Sequence, residues 1–191
     1  YGQICPSFAK EFTLKGDVKK ATLQVSAFGV YNAYINGKKA GDYVLAPGWT
    51  AYQSRLQYQT YDITPMLEED NFIEINLGWG WAVKNLAHFG IIPWKPRATQ
   101  PVLIAAVEVE YENGDVDTIL TDETWKASMS EILLSQIYDG EIVDGRIAGE
   151  RHWEEVRLFP YPRDILIEQE GEIVREIEVL DAKEIITTPK G

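Results

Sequence analysis

The stretch GVYNAYINGKKAGDYVLAPGWTAYQSRLQYQTYDIT, residues 29–64, decides how this chain is read. Val30–Ile35 alternates as a strand and ends at Asn36-Gly37, a dipeptide whose backbone accepts the positive φ of a tight hairpin. Gly41-Asp42 and Pro47-Gly48 punctuate the next segment, and Trp49 comes directly after the second pair. Leu56–Asp62 is a further strand, with Leu56, Tyr58 and Thr60 on one face and Gln57, Gln59 and Tyr61 on the other. A long, aromatic-rich crossover between two strands suits a β-sandwich, whose connections pass from one sheet to the other.

The flanks carry the same signal. On the N-terminal side, residues 7–14 alternate Phe8, Lys10, Phe12 and Leu14 against smaller or polar neighbours. Gly16-Asp17 turns the chain into residues 21–27, where Ala21, Leu23, Val25 and Ala27 alternate with Thr22, Gln24 and Ser26. On the C-terminal side, Thr64 is expected to cap a short helical turn that starts at Pro65, with Met66 and Leu67 facing inward. Residues 71–77 form a strand with Ile73, Ile75 and Leu77 inward, ending in Gly78-Trp79-Gly80-Trp81, two indoles on flexible glycine backbone. A long loop over about residues 82–100 carries His88, Pro93, Trp94, Pro96 and Arg97.

Val102–Tyr111 alternates again, and Asn113-Gly114 turns it into Val116–Leu120, the clearest hairpin of the chain. Trp125 precedes a short strand, and residues 138–147, YDGEIVDGRI, form an acidic patch. Composition shifts at residues 157–163, with two prolines and two aromatics, which sets a boundary near residue 158. Beyond it lie β-like runs at 165–167, 173–180 and 184–187. Ten or more short strands at regular spacing, with no amphipathic helix of useful length, predict an all-β sandwich. The division is a sandwich over residues 1–157 and, over 158–191, a linker with the first strands of a following β domain.

Totals narrow the function. Eighteen basic against thirty acidic residues give a net charge of −12, which argues against nucleic acid and anionic membrane as partners. The single Cys5 excludes an intrachain disulfide and a cysteine-based zinc site. No apolar run approaches the length of a membrane span. The chain begins at Tyr1 without a signal sequence, so the expectation is a soluble piece lacking its natural start, with its compartment left open.

Aromatic residues at 12% supply flat faces for a sugar ring as readily as core packing. Trp79 and Trp81 are the stacking candidates, since they stand at a strand end beside the long loop. Asp139, Glu141, Asp144 and Arg146 form the densest polar group, read either as sugar or metal contacts or as an ion-paired turn. Glycosidases hold an acid and a base at a defined separation, which this spacing does not supply, so no catalytic residue is assigned. Asn113, Asp115 and Asp117 alternate like calcium ligands but lack the Gly and bidentate Glu of an EF-hand, and His88 and His152 lie 64 positions apart. No metal site and no cofactor are therefore assigned.

Residues 29–64 also resemble the N-terminal β-sandwich domain of bacterial α-L-rhamnosidases. The resemblance rests on Gly29-x-Tyr31, Asn36-Gly37, the run PGWT-x-Y at 47–52 and the run Y-x-T-x-D-I-T at 58–64. It extends to Phe8-x-Lys10-x-Phe12, Lys20-Ala21-Thr22-Leu23, Thr121-Asp122-x-x-Trp125 and Gly140-Glu141-x-x-Asp144-x-Arg146. It implies a jelly-roll sandwich of the galactose-binding type that is accessory to catalysis. The catalytic site would belong to an (α/α)6 barrel further along the same protein, which hydrolyses terminal α-L-rhamnosides. It also implies an alternative, an autonomous module for L-rhamnose or rhamnose-containing glycans. In some relatives such a module is calcium-assisted through a DGW or DNW corner. Here Trp79 stands where the Asp would be, so an oxygen ligand for a hard cation is replaced by an indole.

Overall fold

The computed structural model describes residues 5–83, 99–147, 149, 151–161 and 163–187. The predicted loop residues His88, Pro93, Trp94, Pro96 and Arg97 lie outside them. Among the described residues there are thirteen strands: β1 Pro6–Thr13, β2 Val18–Phe28, β3 Val30–Ile35, β4 Lys38–Lys39, β5 Leu56–Asp62, β6 Asp70–Gly78 and β7 Val102–Tyr111 open the series. They are followed by β8 Val116–Leu120, β9 Lys126–Met129, β10 Ile132–Gln136, β11 Gly140–Val143, β12 Glu154–Glu155 and β13 Leu166–Glu168. The fold is the all-β sandwich that the alternating pattern predicts.

One sheet runs β12-β9-β1-β6-β3-β4 and the other β13-β5-β2-β7-β8, with β10 and β11 as a separate hairpin. Every pairing is antiparallel except that of β13 with β5. The core lies between the sheets, where Ile35, Ile73, Ile75 and Leu77 meet Leu23, Val25, Val107 and Val109, all fully buried. Burying each such side chain is worth about 1.5–3 kcal/mol. Trp125 closes this core with its Nε1 donating to the Leu120 carbonyl at 2.9 Å. A second cluster at one end joins Phe28, Tyr52, Leu56, Ala82 and Val83, with Trp79, Trp81, Tyr161, Ile165 and Leu166 packed against it.

Both turn dipeptides form, with a difference. Asn36 (φ 50°) and Gly37 (φ 78°) make the mirror-image turn that a two-residue hairpin needs. Asn36 then clamps the neighbouring turn, donating to the Met66 carbonyl and to Asn71 and accepting from the Phe72 N–H. At the second hairpin only Gly114 has positive φ, and Asn113 accepts from the Asp115 N–H, so the loop is longer than a two-residue turn. Asp117 is taken up by Lys15 and by the Tyr111 hydroxyl, which separates it from Asn113 and Asp115.

Two local expectations are corrected. Thr64 is not the cap of its helical turn. Ile63 holds that position, Thr64–Met66 is a 3-10 turn, and the Asp62 carboxylate accepts the Thr64 N–H at 3.0 Å. The Thr64 hydroxyl reaches across instead, accepting from the Ala21 N–H at 2.8 Å and tying the turn to β2. The runs 173–180 and 184–187 have strand composition but lie in no strand. Arg175 bridges Tyr43 and the Val174 carbonyl accepts from Val44, but among the described residues the pairing extends no further.

A polar chain runs through the sandwich. The Tyr61 and Tyr31 hydroxyls lie 2.9 Å apart, and Tyr31 donates to Gln59 Oε1 at 2.6 Å. Gln59 Nε2 donates to the Pro47 carbonyl at 3.3 Å and to Gln169 Oε1 at 2.7 Å. Burial raises the pKa of Tyr31, with its neighbour Tyr61 adding to the effect, and burial pushes Tyr61 up to about 12. A raised tyrosine pKa means that folding favours the protonated form. That stability is complete below the unfolded value of about 10 and is lost as pH rises through about 12. Tyr31→Phe strands Gln59 Oε1, and a buried acceptor without a donor costs about 1–3 kcal/mol. Urea denaturation at neutral pH is expected to show that loss, with wild-type stability declining between about pH 10 and 12 and the variant losing less over that interval.

Candidate functional site

The Trp79–Trp81 corner is built by three glycines. A Cβ on Gly29 would lie 2.5 Å from the Gly78 carbonyl oxygen, and one on Gly80 would lie 2.6 Å from the Gly29 carbonyl carbon. The β2–β3 junction therefore presses directly on the end of β6, and these glycines serve close backbone approach rather than flexibility. The Trp79 N–H donates to the Ser135 carbonyl at 2.8 Å, and Trp79 bridges Gln136, which joins the corner to β10. Both Trp79 and Trp81 are partly buried against the second core cluster.

The structure brings part of the predicted polar group to this corner. Gln136 Oε1 accepts the N–H groups of Tyr138 and Asp139, shaping the turn before Gly140 (φ 83°). Glu141 pairs in register with Ser135 and is exposed on β11. Asp144 and Arg146 do not face the corner as free groups. They form a two-pronged ion pair, Nε to Oδ1 at 2.8 Å and Nη2 to Oδ2 at 2.6 Å, on an exposed turn. The Arg146 side chain holds the Asp144 carboxyl below the usual carboxylate range. His152 is exposed.

Trp49 was not among the predicted site residues, yet it is the most exposed of the described tryptophans, at 52%. Its ring stacks on Trp81 with centroids 6.1 Å apart and planes 16° from parallel. The loop behind it is anchored by Tyr52, which is 1% exposed and donates to the Gly48 carbonyl at 3.1 Å. Thr50 Oγ1 donates to the Arg55 carbonyl at 2.6 Å, and the Ser54 and Arg55 N–H groups both return to the Ala51 carbonyl. Beside this loop a cleft of about 610 Å³ is lined by Trp49, Gln53, Arg55, Gln57, Ile167 and Glu170, among others. The run PGWT at 47–50 was the available signal, since a Trp after a Pro-Gly turn is displayed by a constrained loop.

The model for the α-L-rhamnosidase N-terminal domain matches residues 16–178. The chain belongs to that family. An α-L-rhamnosidase of Formosa agariphila is 33% identical over 93% of this chain, which spans 20% of that relative. The native α-L-rhamnosidase structure from Aspergillus terreus superposes with a TM-score of 0.83 at 31% identity, over 92% of this chain and 21% of that one. The Streptomyces avermitilis α-L-rhamnosidase, solved in complex with L-rhamnose, gives a TM-score of 0.72 at 33% identity, over 81% and 16%. This rhamnosidase N-terminal domain thus spans about a fifth of the length of these curated relatives.

Two outcomes are expected at the corner. Gly80→Ala forces a methyl into the Gly29 backbone, an overpacking that costs about 1–3 kcal/mol by urea denaturation. Carboxyl NMR should show Asp144 titrating below the usual range and returning toward it in Arg146→Ala. The pair's contribution is present above the unfolded Asp value and disappears as pH falls through the lowered one. Arg146 is exposed and the pair lies on a surface turn, so overall stability is expected to change little in that variant.

Proposed function

We propose that this domain is the non-catalytic accessory sandwich of an α-L-rhamnosidase, and that the enzyme as a whole hydrolyses terminal α-L-rhamnosides at a helical (α/α)6 barrel elsewhere in the protein. The observation that carries the reading is the share of the relatives covered, about a fifth, by one complete two-sheet core. The chemistry of the polar group supports it. A glycosidase general acid needs a raised pKa, and Asp144 is displaced the other way by Arg146.

The region after residue 158 supports the idea of a seam to further domains. Tyr161 donates to the Tyr52 carbonyl and packs edge-on to Phe28 at 4.6 Å, and β13 then lies along β5. After Gln169 the chain exposes apolar side chains, with Ile177 at 92% and Ile185 at 97% exposure. Alternation of Ile and Val with Glu over 173–180 is the pattern of a half-buried strand, and burial against a following β domain would use it. Residues 170–187 are then the lead-in to that domain, and the barrel and that domain are the partners of this sandwich.

The test is hydrolysis of an aryl α-L-rhamnoside. The 191-residue chain is expected to release no aglycone, while a protein extended to the full length of the relatives does so and keeps its activity in Glu141→Gln. Turnover by the short chain, abolished by Glu141→Gln, would overturn the accessory role.

A further inference from the structure

We propose that the cleft between the Trp49 loop and β13 is a binding site for a neutral sugar unit, with Trp49 as its platform and Arg55, Gln57 and Glu170 as its polar contacts. The inference goes beyond the accessory role, and it places sugar on different residues from the Trp79 corner and the Asp139–Arg146 group.

Two polar groups elsewhere in the fold are satisfied internally. Asp144 and Arg146 satisfy one another, and Gln59 spends its amide on Tyr31, Pro47 and Gln169. The cleft differs from those two groups. Among the described residues the Arg55, Gln57 and Glu170 side chains make no hydrogen bond or ion pair. Gln57 is the informative one. Its Oε1 is shut off from solvent without a donor, a condition that native structures rarely leave without a purpose. Because nothing holds that amide, it can turn and present both its acceptor and its two donors to the cleft.

The shape of the cleft points the same way. Gln57 and Ile167 are register partners on paired strands, so they stand side by side as a floor that is half polar and half apolar. Trp49 forms a wall, and its stacking on Trp81 fixes the indole before any ligand arrives. A prearranged aromatic face loses little conformational entropy on binding. The cleft's volume of about 610 Å³ falls within the range of small-molecule sites.

The ligand class is set by the donors and acceptors. Arg55 only donates, Glu170 only accepts, and Gln57 does both. Hydroxyl groups, which donate and accept, complement all three at once. An anion would meet Glu170 and a net charge of −12, and a purely apolar ligand would leave three polar groups unpaired. A neutral pyranose has an apolar face for the indole and hydroxyls around its edge.

Isothermal titration of the whole chain with L-rhamnose, L-fucose, D-galactose and D-glucose in turn tests this, with tryptophan fluorescence as a second readout. Saturable binding of at least one of these sugars is expected, weakened about tenfold or more, about 1.4 kcal/mol, in Trp49→Ala, Arg55→Ala and Glu170→Gln. It should be unchanged in Trp79→Ala and Glu141→Gln. Among the described residues the Arg55 and Glu170 side chains make no hydrogen bond or ion pair that holds the fold, so those variants report on the cleft even if Trp49→Ala disturbs its loop. Absence of saturation at millimolar concentrations of all four sugars would overturn the proposal. So would binding that is lost in Trp79→Ala and retained in Arg55→Ala and Glu170→Gln. Neither result bears on the hydrolysis assay, so the two readings fail separately.

Discussion

Gln59 is a polar side chain in the middle of a hydrophobic sandwich, and three separate parts of the chain are fixed to it. Its oxygen takes the Tyr31 proton from β3 in one sheet, while Gln59 itself belongs to β5 in the other. Its two amide protons are divided between Pro47 of the crossover loop and Gln169 just past β13. Tyr61 completes the chain by donating to Tyr31, an order of protons that leaves every member satisfied. Apolar packing alone would hold the sheets together without choosing how they slide. A fully satisfied buried network makes that choice, because any shift strands several groups at once. The Trp49 loop and the final strand are thereby set against each other by the same amide, and the cleft between them inherits its shape from the core.

The second constraint is steric. Gly29 and Gly80 let two strand ends meet backbone to backbone, closer than any side chain permits, and Gly78 leaves room for the Ser135 side chain. With that contact in place, Trp79 is drawn toward the β10 edge and Trp81 is left to back the Trp49 ring. Two neighbouring tryptophans thus take different roles, one in closing the corner and one in bracing an exposed aromatic face. Neither role depends on a metal ligand at the corner.

The sheet order rests on alternation, and alternation is a property of the sequence that two-faced strands must display. Val30–Ile35 and Leu56–Asp62 were readable to the residue for that reason. What alternation does not say is which face is interior. On β5 the face bearing Gln57, Gln59 and Tyr61 looks no more apolar than the one bearing Leu56 and Tyr58, yet it points between the sheets around the tyrosine pair. The same limit applies to the tail. Residues 166–168 and 173–180 have similar composition, but only the first finds β5 beside it, and a strand exists only where there is something to pair with.

The candidate site shows the limit most sharply. Charge density in one dimension drew attention to residues 139–146, where Asp144 and Arg146 are two positions apart and readily neutralise each other. Local pairs of that kind are visible in the sequence because they are local, and for the same reason they are already spent. A site for an external ligand needs polar groups that the fold keeps apart until the ligand joins them. Arg55, Gln57 and Glu170 meet that condition, with Glu170 more than a hundred positions from the others and carried to them by the parallel pairing of β13 with β5. No spacing rule brings such residues together. It takes the register of one late strand, held by Gln169 on the central amide, to assemble a cleft from the crossover loop and the far end of the chain.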